Sequence, residues 1–228
     1  MMSGSGFKRA LLAATASAAL LTAAEANASI VLNFVGLQDQ EQILNFYNGG
    51  KGSKGSGPGP NFGISFSSHS LALISTASGG SGNFSNAPSD TIAFFLTGGA
   101  DQMTQTSGFK TGFSFFYSSN SKATTGSNGS VSVFSGPNGT GALLAMLTLP
   151  DTGNNGPPGG QFNMWDKIGV AFAGTAESVD FSGAANHIGF DNVTLGSVTP
   201  GGVPEPASVA LLGTGLFTLG WFRRRRKT

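Results

Sequence analysis

Surface chemistry needs particular side chains, and this sequence supplies few of them. It has two histidines, His69 and His187, and no cysteine. The missing thiols remove disulfides, cysteine-ligated zinc and thiol nucleophiles together. A hydrolase triad would need a histidine beside a nucleophile and a carboxylate, and no G-x-S-x-G elbow occurs in the chain. His187 beside Asn186, and His69 within Ser67-Ser68-His69-Ser70, read as hydrogen-bonded surface histidines. One phosphate-cradle pattern matches, Gly50-Lys51-Gly52-Ser53-Lys54-Gly55. Its glycines work only where a strand runs into a helix N-terminus, and here more glycine and two prolines follow.

The acids offer more. Hydrolysis of a glycosidic bond takes two carboxylates about 5 to 10 Å apart, but nothing in the spacing selects a pair. Calcium takes oxygen ligands and needs neither His nor Cys. Asp191 late in the chain, with Asp39 or Glu41 early in it, could hold such an ion and tie the first strand to the last. In the plainer alternative Asp191 only hydrogen-bonds loop backbone amides. Among the aromatics Phe dominates, and from Ser29 to Gly202 only Trp165, Tyr47 and Tyr117 carry a polar handle. Trp165, in Phe162-Asn163-Met164-Trp165-Asp166-Lys167, is the candidate platform for stacking a sugar ring.

These side chains must be positioned by strands, because period-two alternation recurs and helical periodicity is almost absent. Phe113, Phe115 and Tyr117 face one way and Ser114 and Ser118 the other; Val131 and Val133, then Leu143, Ala145, Leu147 and Leu149, repeat the beat. Strands are expected near 30–36, 42–47, 63–66, 71–75, 91–96, 112–118, 130–134, 142–149, 167–172, 178–182 and 188–195. About ten strands separated by Gly, Asn and Ser give an all-β fold, a β-sandwich. Two loops exceed what hairpins need, residues 48–61 and 150–160, and long loops on a rigid sandwich are where binding surfaces usually lie.

Both chain ends read differently. Lys8 and Arg9, the apolar run Ala10 to Ala24, and the small residues Ala26 and Ala28 form a secretory signal over residues 1–28, cut after Ala28. Without its ends the chain has five Lys or Arg against nine Asp or Glu, about −4. The basic balance of the whole chain therefore belongs to its termini, and nucleic-acid binding has no electrostatic support. Residues 198–202 read as a short flexible linker. From Val203 to Thr228 three parts follow in order: Pro204-Glu205-Pro206, the apolar run Ala207 to Phe222, and the cluster Arg223, Arg224, Arg225, Arg226 and Lys227. A helix of that apolar run would reach about 24 Å, a little short of a ~30 Å hydrocarbon core. The cations beyond it would stay cytoplasmic and stop transfer.

That ordered tail resembles the PEP-CTERM sorting signal of Gram-negative bacteria. The resemblance implies recognition of Pro204, Glu205 and Pro206 by an exosortase, a transmembrane segment over Ala207 to Phe222, and a stop-transfer cluster from Arg223 to Lys227. It implies an inner-membrane-anchored precursor, then a cell-surface or extracellular protein associated with exopolysaccharide. Ile188-Gly189-Phe190-Asp191-Asn192-Val193-Thr194-Leu195 and Asn33-Phe34-Val35-Gly36-Leu37 are similar to the closing and opening strands of extracellular β-sandwich and carbohydrate-binding-type domains. The expected organisation is a signal helix over 1–28, a jelly-roll or carbohydrate-binding-module-like sandwich over 29–197, the linker, and the sorting segment over 203–228. The expected role is structural or adhesive and non-catalytic; the alternatives are a secreted carbohydrate-active enzyme and a permanently anchored carbohydrate-binding module.

Overall fold

Two strands much longer than the sequence suggests organise the computed structural model, which describes residues 29–97, 100–119, 129–153, 162–183 and 185–201. The signal segment and the sorting tail lie outside the described residues. In chain order the strands are β1 (Ile30–Leu32), β2 (Glu41–Gln42), β3 (Ile64–Phe66), β4 (Ser70–Ile74), β5 (Thr91–Phe95), β6 (Ala100–Ser119), β7 (Gly129–Phe134), β8 (Leu143–Leu149), β9 (Asp166–Gly183) and β10 (Ile188–Leu195). They form one antiparallel sheet in the order β2-β4-β5-β10-β6-β9-β7-β8, with β1 on β10 and β3 on β6.

The all-β expectation holds, but the long pair β6 and β9 changes how the layers arise. Both strands bend at a residue with left-handed backbone, Gly108 (φ 73°) in β6 and Gly174 (φ 94°) in β9, where a side chain would be strained. The ladder slips around Phe109 between them. Beyond the bend Phe113 to Tyr117 pair with the start of β9 and with β10, while Ala100 to Thr104 pair with the end of β9. The sheet therefore folds over itself into two facing leaves. Ring contacts across the fold prove the facing: Phe181, paired through its backbone with Asp101, meets Phe113 at 6.0 Å, Phe115 at 6.1 Å and Phe190 at 4.8 Å. Such edge-to-face pairs add about 0.5–1.5 kcal/mol each beyond their burial.

Sequence reading broke β9 in two, where Ala173, Gly174 and Thr175 are exposed, and began β6 only at Gly112 for a different reason. Asp101 and Gln105 flank Met103 on the buried side of β6, so polar residues occupy inward positions and the alternation disappears. The strand expected over 42–47 is also absent beyond Gln42. Ile43, Phe46 and Tyr47 are buried at a spacing of three and four, a turn period, and the Phe46 N–H donates to the Ile43 carbonyl at 3.0 Å. Phe34 ends the first strand early with φ 60°, fully buried, its N–H donated to Tyr47 Oη at 2.7 Å.

The chain leaving β10 does not lift off at once. Thr111 Oγ1 donates to the Gly196 carbonyl at 2.8 Å, Ser114 Oγ to the Ser197 carbonyl at 2.9 Å, and the Gly201 N–H to Thr194 Oγ1 at 2.9 Å. Val198 crosses where β6 and β9 carry Gly112 and Gly169. A Cβ at Gly112 would stand 2.7 Å from Val198 Cγ1, and one at Gly169 would overlap the Val198 carbonyl oxygen. Residues 198–201, the described part of the stretch read as a linker over 198–202, meet the sheet through Val198 and the Gly201 N–H.

Candidate functional site

Strand β5 is buried along its whole length, unusual for a strand near the side of a sheet. Ala93 and Phe95 enter the main core, while Ile92 and Phe94 join a second, smaller core with Phe84 and Phe162 on the opposite face. Two crossing segments cover that face. Ser85 N–H donates to the Phe162 carbonyl at 3.0 Å, Asn86 Nδ2 to the Asn163 carbonyl at 3.2 Å, and Trp165 Nε1 to the Ser85 carbonyl at 2.9 Å.

Between this cover and the end of the leaf opens a groove of about 400 Å³. Its floor is apolar, from Phe84, Ile92, Phe94 and Phe162, and its rim carries Gln40, Asn83, Asn186 and His187. The floor rings lean on their neighbours edge-on: Phe94 meets Phe162 at 5.8 Å and 84°, and Phe84 meets Trp165 at 6.3 Å and 72°. All three phenylalanines of the floor are at most 8% exposed, which leaves little open ring face for stacking. Polar recognition must come from the rim. Asn186 points its backbone N–H to the Phe95 carbonyl at 2.9 Å, which pins the turn before β10.

His187, read from the sequence as a hydrogen-bonded surface histidine, stands half-buried on the rim of this groove. Trp165, the candidate sugar platform, stands beside the groove. Its indole N–H is spent on Ser85 and it packs in the small core beside the groove rather than lining it. The phenylalanines and amides of the groove carried no motif, because they come from five separate stretches of chain.

The acids do a different job. Asp191, fully buried, lies where the partner of β10 changes from β5 (Gly189 and Phe190) to β1 (Val193 to Leu195). There it accepts the Ser89 N–H at 2.7 Å, the Ser89 hydroxyl at 2.8 Å and the Asn192 N–H at 2.7 Å. Burial pushes its carboxyl up to about 6 against the pull of those bonds. Asp39 accepts the N–H groups of Ile74 (2.9 Å) and Ser81 (3.1 Å). Glu41 accepts those of Gln38 (2.7 Å), Lys54 (2.8 Å) and Ser56 (3.1 Å), which fastens the long loop over 48–61. For both, burial acts upward but the hydrogen bonds win and hold the carboxyl below its ordinary value, helped at Asp39 by the Lys54 charge. Each of the three carboxylates thus clasps its own loop. Among the described residues no three of His, Cys, Asp or Glu gather around a common metal position.

Asp101 is a fourth clasp. It accepts from the hydroxyls of Ser67 at 2.9 Å and of Ser70, fixing the turn by which the chain crosses from β3 to β4, and burial raises its carboxyl to about 6. Ser, His and Asp are neighbours here, but both hydroxyls donate to the carboxylate directly. In a triad the imidazole stands between them.

The model of the PEP-CTERM protein-sorting motif matches residues 202–226, so the chain carries that motif where its ordered tail was read. The motif implies an exported, exosortase-sorted protein. No curated protein sequence matches the chain. Similar solved structures include a family 6 carbohydrate-binding module, at 22% identity over 57% of this chain and 85% of that one, TM-score 0.35. Another is the K2 cleaved adhesin domain of Lys-gingipain, at 12% identity over 73% of this chain and 98% of that one, TM-score 0.46. A third is a family 11 carbohydrate-binding module from Clostridium thermocellum, at 12% identity over 74% and 95%, TM-score 0.31. At these identities and scores none extends a ligand to this chain.

Proposed function

We propose that this is a non-catalytic cell-surface or matrix protein with a structural or adhesive role, whose β body holds a segment of exopolysaccharide in the groove beside β5. The carrying observation is the groove's lining: amides of Gln40, Asn83 and Asn186 and the His187 imidazole above an apolar floor, with no carboxylate among them. An amide donates and accepts at once, which matches the paired hydroxyls of a sugar. Hydrolysis would call for two carboxylates flanking the bond. The buried acids supply none, since their oxygens are engaged with backbone amides and serine hydroxyls. With few open rings to stack on, binding is weak per sugar and gains strength by repetition along a polymer.

In this reading the sorting tail brings the precursor to the inner membrane, an exosortase acts near Pro204 to Pro206, and the body is delivered to the surface. A secreted carbohydrate-active enzyme and a permanently anchored module are the alternatives. Detergent-solubilised full-length protein, run through native gels containing host exopolysaccharide, tests the proposal. Retardation without new reducing ends is the expected result. New reducing ends would establish the enzyme, and free migration through every polysaccharide tried would remove the binding role.

A further inference from the structure

Strand β8 ends the sheet, and among the described residues it pairs only with β7. Natural edge strands are blunted by shortness, charge, proline or cover. The other outer strands follow the rule: β1 and β3 have three residues each and β2 has two, with the buried Glu41 among them. Strand β8 does not. It runs seven residues, Leu143-Leu144-Ala145-Met146-Leu147-Thr148-Leu149, without a charge, a proline or a glycine. Leu143 is 54% exposed and Met146 58%. The ladder to β7 slips once, beside the turn between Ala145 and Leu143, and is regular from Ala145 to Leu149.

We propose that this edge is a self-association surface: β8 pairs antiparallel with β8 of a second copy, and the sheet continues from one molecule into the next. Three features favour a second copy as the occupant. A two-fold axis beside the edge strand and normal to the sheet makes the pairing antiparallel, so outward backbone donors in the overlap meet acceptors of the same strand. Because β8 is uncharged, it meets itself without like-charge repulsion, the usual guard against such pairing. Alternation also repeats. Ala145 and Leu147 stand opposite the buried Val133 and Val131, so a pairing that keeps them inward extends the core face and brings Met146 beside Met146 or Thr148 of its partner. One pair of strands buries less than the ~1,200 Å² of a standard interface, so the association is weak in solution.

The absence of cysteine allows a single-site test in the full chain, solubilised in detergent. A spin label on Met146→Cys would lie within about 10 Å of its counterpart, given ~4.8 Å between strands and ~3.4 Å per residue. At about 100 µM the spectrum is expected to show dipolar broadening, while a label on exposed Ser107→Cys shows none. Unlabelled protein should sediment as a dimer and shift to monomer when Met146→Lys and Thr148→Lys are combined. Both positions are exposed, and an unchanged circular dichroism melt verifies the fold. Absence of broadening at 146, or a sedimentation profile that ignores the lysines, overturns the proposal; a dimer held by the apolar tail gives the second result.

Discussion

Ser89 and Asp191 hold one another across 102 residues of chain, the serine N–H on one carboxylate oxygen at 2.7 Å and its hydroxyl within 2.8 Å of both. The same hydroxyl lies 3.1 Å from the Asn33 carbonyl and 2.8 Å from that of Thr91. One carboxylate therefore closes the fork where β10 exchanges β5 for β1. Asn192, in left-handed backbone at φ 45°, makes the bulge that aims Asp191 there.

Asp191→Ala should cost about 2 kcal/mol, since it strands the part-buried Ser89 and Asn192 N–H groups, each toward the low end of the ~1–3 kcal/mol of a buried orphan donor. Asp191→Asn keeps one acceptor and should cost less than half as much. Urea unfolding of both variants checks the order. Equal costs would mean that Asp191 acts through packing alone.

Calcium is expected to leave the melting midpoint unchanged, because both oxygens of Asp191 and both of Asp39 already accept hydrogen bonds. Midpoints in millimolar calcium and in chelator decide it. A rise that vanishes in Asp191→Asn would make the ion a further partner of this carboxylate, as first expected from the sequence.

Stability should peak on the acid side of neutrality. Asp101 and Asp191 have native values of about 6 against an ordinary 3.8, so the native state holds more protons than the unfolded chain between those limits. Their contribution is complete below pH 4 and is lost as pH rises through about 6. Glu41 and Asp39 are shifted the other way, and their contribution is lost as pH falls below their ordinary 4.5 and 3.8. The midpoint should therefore climb by a few degrees from pH 7 to pH 5, at ~2–4 °C per kcal/mol, and drop below pH 4. Asp101→Asn should flatten the climb. A midpoint that falls steadily from pH 7 to pH 5 would refute the assignment.

In the groove, Asn83→Ala and Asn186→Gly should each weaken polysaccharide retention about fivefold, the loss of one hydrogen bond of ~1 kcal/mol. Glycine is the fair truncation at Asn186, whose φ is 68°. Trp165→Phe, which removes the N–H bound to Ser85 and shrinks the ring packed against Phe84, should loosen the cover and lower stability while altering retention less. Retention unaffected by both asparagine changes would move the binding site elsewhere.

Protein recovered from the surface of its host should begin at Ser29 and lack Arg223 to Lys227. Intact mass reads both ends at once. A surface form that keeps Trp221 and the arginines would be a plain membrane anchor.

What could be read from the sequence followed from which signals are local. The order of Pro204, the apolar run and Arg223 lies in one stretch, and the sorting motif was found there. Alternation in Phe113, Phe115 and Tyr117 marks a strand because its inward residues are apolar. Inward Asp101 and Gln105 hid the first half of the same strand, and their burial makes sense only once Ser67 and Ser70 are brought to Asp101 by the fold. The groove left no trace, since Asn83, Phe94, Phe162 and Asn186 have no fixed spacing to detect. Asp191 drew attention as a carboxylate on the last strand, but its partners are the Ser89 and Asn192 amides, which no residue type announces.

The docked exit segment sets a leash length. Gly201 is held by Thr194 at 2.9 Å, and Pro204 follows three residues later, a span of at most about 11 Å fully extended. An enzyme that reads Pro204 to Pro206 must therefore work within one or two side-chain lengths of a folded body, or first peel the strip from Gly196 to Gly201 off the glycines beneath it. The bare surface at Gly112 and Gly169 thus acts as a ruler: it decides how near the cutting machinery the cargo must be folded.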